Sequence, residues 1–411
     1  MSSSMRQVLS LLFAALWAAI VAAHGDVVDP RRNYRIPAGF VYQEAALTPE
    51  KARELAKRHA VLTLLKVTAL SPEVAENLVT PYRDTFLTLP ALETIDADAA
   101  AKLSVRRGYL RLWGVTSLTP EVAAALVGSP GQVVEVTGVR EITPEVAHAL
   151  VRGKRDKLGL GLTTLSTAIA EILAEFPYDL DFPYLETLSL ESAKAIAEHG
   201  EVVQLGSETV GPTLDLGKAR LTPAIAEALL AHDGPLGFRL KRLEPGVGDI
   251  LAKHRFQVLL MLEEIDSVPL ARKLFSEPNG SSSAENLRTM SPKIAAEYAA
   301  NYRGGLVRLD TLTVDAAREL AKCKEEISFF AIAKLSPELA TALTERTRAV
   351  YLRGLKSLDG PDAVAVAEAL ASTPAPVYMP FLERVSAPAL AALRKKATIK
   401  IPPDEKLTIV P

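Results

Sequence analysis

Two hydrophobic rhythms alternate along this chain. In Leu110-Arg111-Leu112 every second residue is apolar, which marks a short strand with one buried face. A few residues on, Leu118-Thr119-Pro120-Glu121-Val122-Ala123 opens a stretch whose apolar residues recur at helical spacing. The alternating layout returns in Leu62-Thr63-Leu64, Leu87-Thr88-Leu89, Val134-Glu135-Val136, Leu180-Asp181-Phe182, Val350-Tyr351-Leu352 and Val377-Tyr378-Met379. Each unit therefore predicts strand, turn, short helix and return loop. The first apolar residue of the second phrase recurs as Leu47, Leu70, Ile95, Leu118, Ile142, Leu165, Leu188, Leu221, Leu243, Ile265, Met290, Leu312, Leu335, Leu358 and Val385. The mean spacing is about 24 residues, a period that marks stacked units unable to bury their apolar faces alone.

The residue after each anchor is Ser, Thr or Asp except at Glu244, and reads as an N-cap whose side chain accepts from the first free helical N–H groups. Proline often follows, where the helix has no N–H partner to lose, and then an acid that suits the positive end of the helix dipole. Alanines inside the helical phrase allow neighbouring helices to lie close.

The phrase L-x-L-x-x-V-x-x-L-T-P-E-x-A-x-x-L resembles the leucine-rich repeat, most nearly its cysteine-containing subclass, over residues 47–411. Val67, Val115, Val139, Ile332 and Leu355 stand where that subclass has its first cysteine, and the asparagine ladder of typical leucine-rich repeats is missing. The resemblance implies an α/β curved repeat solenoid, with a parallel sheet on the concave face and short helices on the convex face.

Two intervals break the rhythm. Leu188 to Leu221 carries roughly ten extra residues, and Ser276–Ser283 is a polar insert expected to be a mobile loop. Asn279-Gly280-Ser281 in that insert fits the N-glycosylation pattern, relevant only in a eukaryotic secretory route. At the ends, Arg6, the uncharged run Val8–Ala23 and then His24 read as a secretory signal over residues 1–23. The run is shorter than the ~20 residues of a membrane span, although an uncleaved anchor is the alternative. Residues 24–46 read as an N-terminal cap or linker, and Ile399–Ile401 and Leu407–Ile409 as finishing strands. The expected location is secreted, periplasmic or cell-envelope.

Lys plus Arg number 47 against 49 Asp plus Glu, a balance that gives no field to gather nucleic acid. The single cysteine, Cys323, rules out an intramolecular disulfide. His59, His199, His232 and His254 fall 11 or 12 residues after their anchors, and Cys323 takes the same place. That recurrence is structural: an imidazole at a helix C-terminus can bond the last carbonyls. Helices ~8–10 Å apart oppose convergence on one zinc. No nucleophile, metalloprotease or phosphate-loop motif occurs, and Leu158-Gly159-Leu160-Gly161-Leu162 reads as a strand with glycines on its open face. No cofactor and no catalytic residue is expected.

The informative positions lie between the buried strand residues and just after them, since strand side chains alternate faces. Arg111 and Trp113 fall there, as do Glu135 and Thr137, Leu259 and Met261. Arg308, Phe330, Tyr351, Arg353 and Tyr378 would form one aromatic–arginine patch across adjacent C-terminal strands, of the residue types enriched at binding hot spots. Cross-strand pairing that merely stabilises the sheet is the plainer reading. The favoured expectation is an exported, non-enzymatic scaffold that recognises a protein or glycan partner. A structural envelope component comes second, and an enzyme with its site on an inserted loop third.

Overall fold

The computed structural model describes residues 27–29, 34–36, 39–79, 85–128, 132–153, 156–200, 203–205, 208–276, 286–301 and 306–411. The expected signal segment and the Asn279-Gly280-Ser281 sequon lie outside the described residues. The chain forms two units, residues 1–217 and 218–411.

In the first unit, strands Phe40–Tyr42, Val61–Leu64, Thr85–Thr88, Gly108–Arg111, Gln132–Val136, Lys157–Leu160, Asp179–Asp181 and Leu214–Asp215 lie side by side, all parallel. The register never slips: Leu62, Leu87, Leu110, Val134, Leu158, Leu180 and Leu214 form one row. Every member of that row is at most 3% exposed. In the second unit Leu236–Phe238 pairs in parallel with Val258–Leu260. Leu306–Val307, Ile327–Phe329, Val350–Leu352, Val377–Tyr378 and Ile399–Lys400 form a five-stranded parallel sheet. Thr408–Val410 joins a smaller parallel ladder through Arg384–Ser386 and Ser357–Leu358, so both expected finishing strands form. This is an α/β repeat solenoid of leucine-rich-repeat layout. Strands repeat at ~4.8 Å and helices at ~8–10 Å, so within each unit the stack bends toward its sheet side.

Fifteen helices follow the fifteen anchors among the described residues, from Pro49–Arg58 to Ala387–Arg394. Thirteen begin with a Ser, Thr or Asp oxygen accepting the N–H three residues on, as Thr119 does from Val122 at 3.3 Å. The departures are instructive. After Ile265 the cap is Ser267, not Asp266, and its hydroxyl donates to Asp249 of the preceding repeat while accepting the N–H of Leu270. Asp359 caps nothing, because Gly360 and Pro361 delay the helix to Ala363–Ser372 and the carboxylate accepts from Arg384 instead. Past Glu244 the helix Val247–Leu251 starts at Gly246, whose φ of +83° suits only glycine. The helices bury small residues, among them Ala99, Ala123, Ala147, Ala170 and Ala226. The apolar residues at the cysteine positions of the related subclass, Val67, Val115, Val139, Ile332 and Leu355, are all buried.

The extra residues between Leu188 and Leu221 fold as an antiparallel pair, Val203–Leu205 with Glu208–Val210, before the parallel rhythm resumes at Leu214. Another antiparallel pair, Val27–Asp29 with Tyr34–Ile36, precedes Phe40–Tyr42.

Two of the recurrent histidines, His199 and His254, tie adjacent repeats together, and not through the carbonyls of their own helices. Nε2 of His199 meets the Tyr178 carbonyl at 2.9 Å and that of His254 meets the Gly234 carbonyl at 2.8 Å, each in the turn one repeat earlier. The reason is reach: after the helix ends, the ring points back across the stack. Arg106, Arg346 and Lys396 bond carbonyls of the preceding repeat in the same way. Burial lowers the Arg106 pKa to about 10, so the guanidinium stays charged. His59 differs, its ring stacking on Phe40 at 4.1 Å.

Burial holds the pKa of His254 below its ordinary 6.5, with Lys273 and Arg255 working the same way and the Gly234 carbonyl and Asp233 opposing them. The unfolded chain therefore takes up this proton first as pH falls. Stability is intact above 6.5, declines below it, and levels off beneath the folded pKa. The urea midpoint should fall between pH 7.5 and pH 5, and His254→Gln should flatten that slope. Thr119→Ala should cost about 1 kcal/mol in the same assay.

Candidate functional site

Strand alternation places one set of side chains on the sheet face opposite the helices. In the first unit the pairing aligns Thr88, Arg111, Glu135, Gly159, Asp181 and Asp215 in a single row across that face. A second row, two residues earlier, aligns Phe86, Tyr109, Val133, Lys157 and Asp179.

Arg111 organises the aromatic end of these rows. Its guanidinium carbon lies 5.3 Å from the Phe86 ring centre, 5.6 Å from Tyr109 and 5.5 Å from Trp113. Phe86 and Tyr109 stack at 4.3 Å. Glu135 closes the group, its Oε2 lying 3.1 Å from Arg111 Nε and accepting the Trp113 indole N–H at 3.1 Å. Trp113 is therefore not an open contact residue as its position suggested, being only 6% exposed. Thr63, Thr88, Thr137 and Asp181 are buried too. Strands ~4.8 Å apart let face residues cover one another, which alternation alone does not reveal.

The other end of the rows is charged. Lys157 Nζ and Asp181 Oδ2 are 3.1 Å apart. Burial opposes the lysine's charge, but Asp181, Glu135 and Asp215 outweigh it and raise its pKa. Asp179 accepts the Thr213 N–H at 2.8 Å, and burial raises its pKa against the pull of that bond and of Lys157.

The second unit assembles most of the C-terminal patch. Tyr351 and Tyr378 are register partners and stack at 4.6 Å, with rings 14° apart. Arg353 lies 5.1 Å from the Phe330 ring centre and 5.7 Å from that of Tyr351. Phe330 is exposed, whereas Tyr351, Arg353 and Tyr378 are half-buried. Desolvation and then the Glu326 carboxylate raise the Tyr351 pKa, so its phenol keeps its proton near neutrality. Arg308 is exposed one residue past Leu306–Val307, and no hydrogen bond, ion pair or ring contact among the described residues joins it to the others. Leu259 and Met261 are exposed on the same side of strand Val258–Leu260.

Sequence reasoning overlooked Phe86, Tyr109 and Lys157, which lie two residues before the positions it singled out. Read as a row, the strand starts carry that signal. Among the described residues no three His, Cys, Asp or Glu side chains converge as metal ligands, and no helix is long and apolar enough to cross a membrane.

No protein-family model matches the chain, and no curated protein matches it. Among solved structures it is similar to an internalin from Listeria monocytogenes, at 12% identity and a TM-score of 0.35 over 86% of this chain and 88% of that one. It is also similar to a chain of the yeast Rad7–Elc1 complex, at 13% identity and 0.34 over 88% and 92%. A third similarity is to the Drosophila Toll–Spatzle complex, at 11% identity and 0.39, covering 84% of this chain and 51% of that one. The fold assignment rests on the repeat geometry itself.

Removing Glu135 would strand the Arg111 charge and the Trp113 N–H in a site where both are largely shielded from water. Glu135→Ala should therefore cost about 2–3 kcal/mol. Glu383→Ala, which breaks an exposed pair with Lys356, should cost about 0.5 kcal/mol or less by the same urea titration.

Proposed function

We propose that this protein is an exported, non-enzymatic scaffold that recognises a protein or glycan partner through the sheet face. The carrying observation is the aromatic–arginine group of the second unit. Tyr351 and Tyr378 are stacked and Arg353 is held over Phe330 and Tyr351, so these side chains meet a partner already ordered. Aromatic and arginine side chains fixed beforehand lose little rotamer freedom on binding, and they contribute most where they are packed. The reading of the first residues as a secretory signal supports export. Arg308, exposed beside this group, belongs to the proposed surface of the second unit; in the first unit Arg111 and Trp113 belong to that unit's own proposed surface, as support beneath it.

A photo-crosslinking residue at Tyr351 should capture a partner from the source envelope fraction, while one at Glu338 on the helix side should not. Tyr351→Ala with Arg353→Ala should abolish that capture and leave the stability from urea titration within about 1 kcal/mol of the parent. Capture from Glu338 alone would favour a structural component that packs through its flank.

A further inference from the structure

The sheet face of the second unit carries cations that the protein itself leaves unpaired. Its pairing aligns Tyr351, Tyr378 and Lys400 in one row. Phe330 and Arg353 lie two residues further along their chains, and Arg308 stands at the same level just past Leu306–Val307. The residues between the rows, such as Phe329 and Leu352, are buried, so alternation turns both rows outward. On the turns of this unit, Arg288 meets Asp310, Lys356 meets Glu383 and Arg384 meets Asp359. Among the described residues, Arg308, Arg353 and Lys400 have no such ion pair and no side-chain hydrogen bond. The exposed Glu326, one residue before Ile327–Phe329, meets the Tyr351 phenol rather than any of the three.

Arg353 is the most constrained of these cations. It is half-buried, its Nε is shielded with no acceptor, and its charge is met only by the Phe330 and Tyr351 rings. Arg346, by contrast, bonds the Cys323 carbonyl. A carboxylate reaching the outer nitrogens of Arg353 would form a charge-assisted pair in partly shielded surroundings, where such pairs are strong. The ring faces are engaged as well. Tyr351 and Tyr378 stack on each other and Arg353 lies over Phe330 and Tyr351, so a partner meets largely ring edges. Those edges carry partial positive charge. A pyranose docks on an open ring face, whereas a carboxylate is drawn to ring edges and guanidinium nitrogens.

We infer that this face receives an acidic, extended segment of a protein partner, its carboxylates pairing with Arg308, Arg353 and Lys400. The three cations stand on every second strand of the five, roughly 10 Å apart across the sheet. A polyproline-II chain laid across the strands returns a side chain to the same side every three residues, or about 9 Å. Acids at every third position therefore match the cations. This inference rests on the sheet-face reading above and specifies the partner's chemistry.

The test is fluorescence anisotropy of the full chain with a labelled peptide of repeated Glu-Pro-Pro. Beside it run its Lys-Pro-Pro analogue and a permuted peptide with the same acids contiguous. The chain's net charge is −2, so general attraction does not favour an acidic ligand. The Glu-Pro-Pro peptide should bind saturably, the permuted one at least about threefold more weakly, and the lysine analogue not at all. Arg353→Gln should weaken binding at least about fivefold, as should Arg308→Gln with Lys400→Gln. Lys356→Gln, which removes an equal charge from a turn, should leave it within about twofold. Equal binding of the Glu and Lys peptides, equal binding of the two acidic peptides, or equal losses in Lys356→Gln and Arg353→Gln overturn the inference. So does tighter binding of a sulfated oligosaccharide or a single-stranded oligonucleotide of matched charge. Should Arg353→Gln fail to fold, the double variant of two exposed residues decides. Partner capture at Tyr351 with no Glu-Pro-Pro binding retires this inference alone. Loss of capture at Tyr351 together with capture at Glu338 retires the broader reading.

Discussion

No strand or helix in this chain can satisfy itself. A strand of two to five residues, such as Leu214–Asp215 or Gln132–Val136, has backbone groups that only the next strand can pair. Its leucine or valine is buried only when neighbouring copies stand on either side. In-register parallel stacking is thus the constraint on which the rest depends. It fixes which residues form the core row, and with them which residues must share the opposite face.

The ties between repeats follow from the same constraint. In five places a carbonyl near a helix end accepts from a side chain at one fixed position of the next repeat. His199, His254, Arg106, Arg346 and Lys396 are chemically different solutions at that one position. This is why imidazoles recur at one repeat position. The same stacking turns the sheet face into ordered rows, so that Arg111 and Glu135, or Lys157 and Asp181, meet without any motif joining them in sequence.

The proposed function rests on what those rows present. In the second unit a stacked tyrosine pair lies beside an arginine. In the first, a carboxylate-rich row is interrupted by one glycine.

Periodicity alone placed the strands, the helices and most of their caps. Leu, Val and Ile at fixed offsets can be buried only in one way, and Thr or Ser before Pro-Glu can start only a helix. The cap at Ser267 in place of Asp266, and the late helix after Asp359, were not legible because each depends on a partner in another repeat, Asp249 and Arg384. The sequence likewise assigned Trp113 and Tyr351 to the open face without distinguishing them. Only the tertiary structure decided that Trp113 is shielded beneath Arg111 and Glu135 while Phe330 is exposed and the Tyr351–Tyr378 stack is half-buried. Alternation fixes the direction in which a side chain leaves the backbone; how much of it water reaches depends on neighbours some 23 residues away.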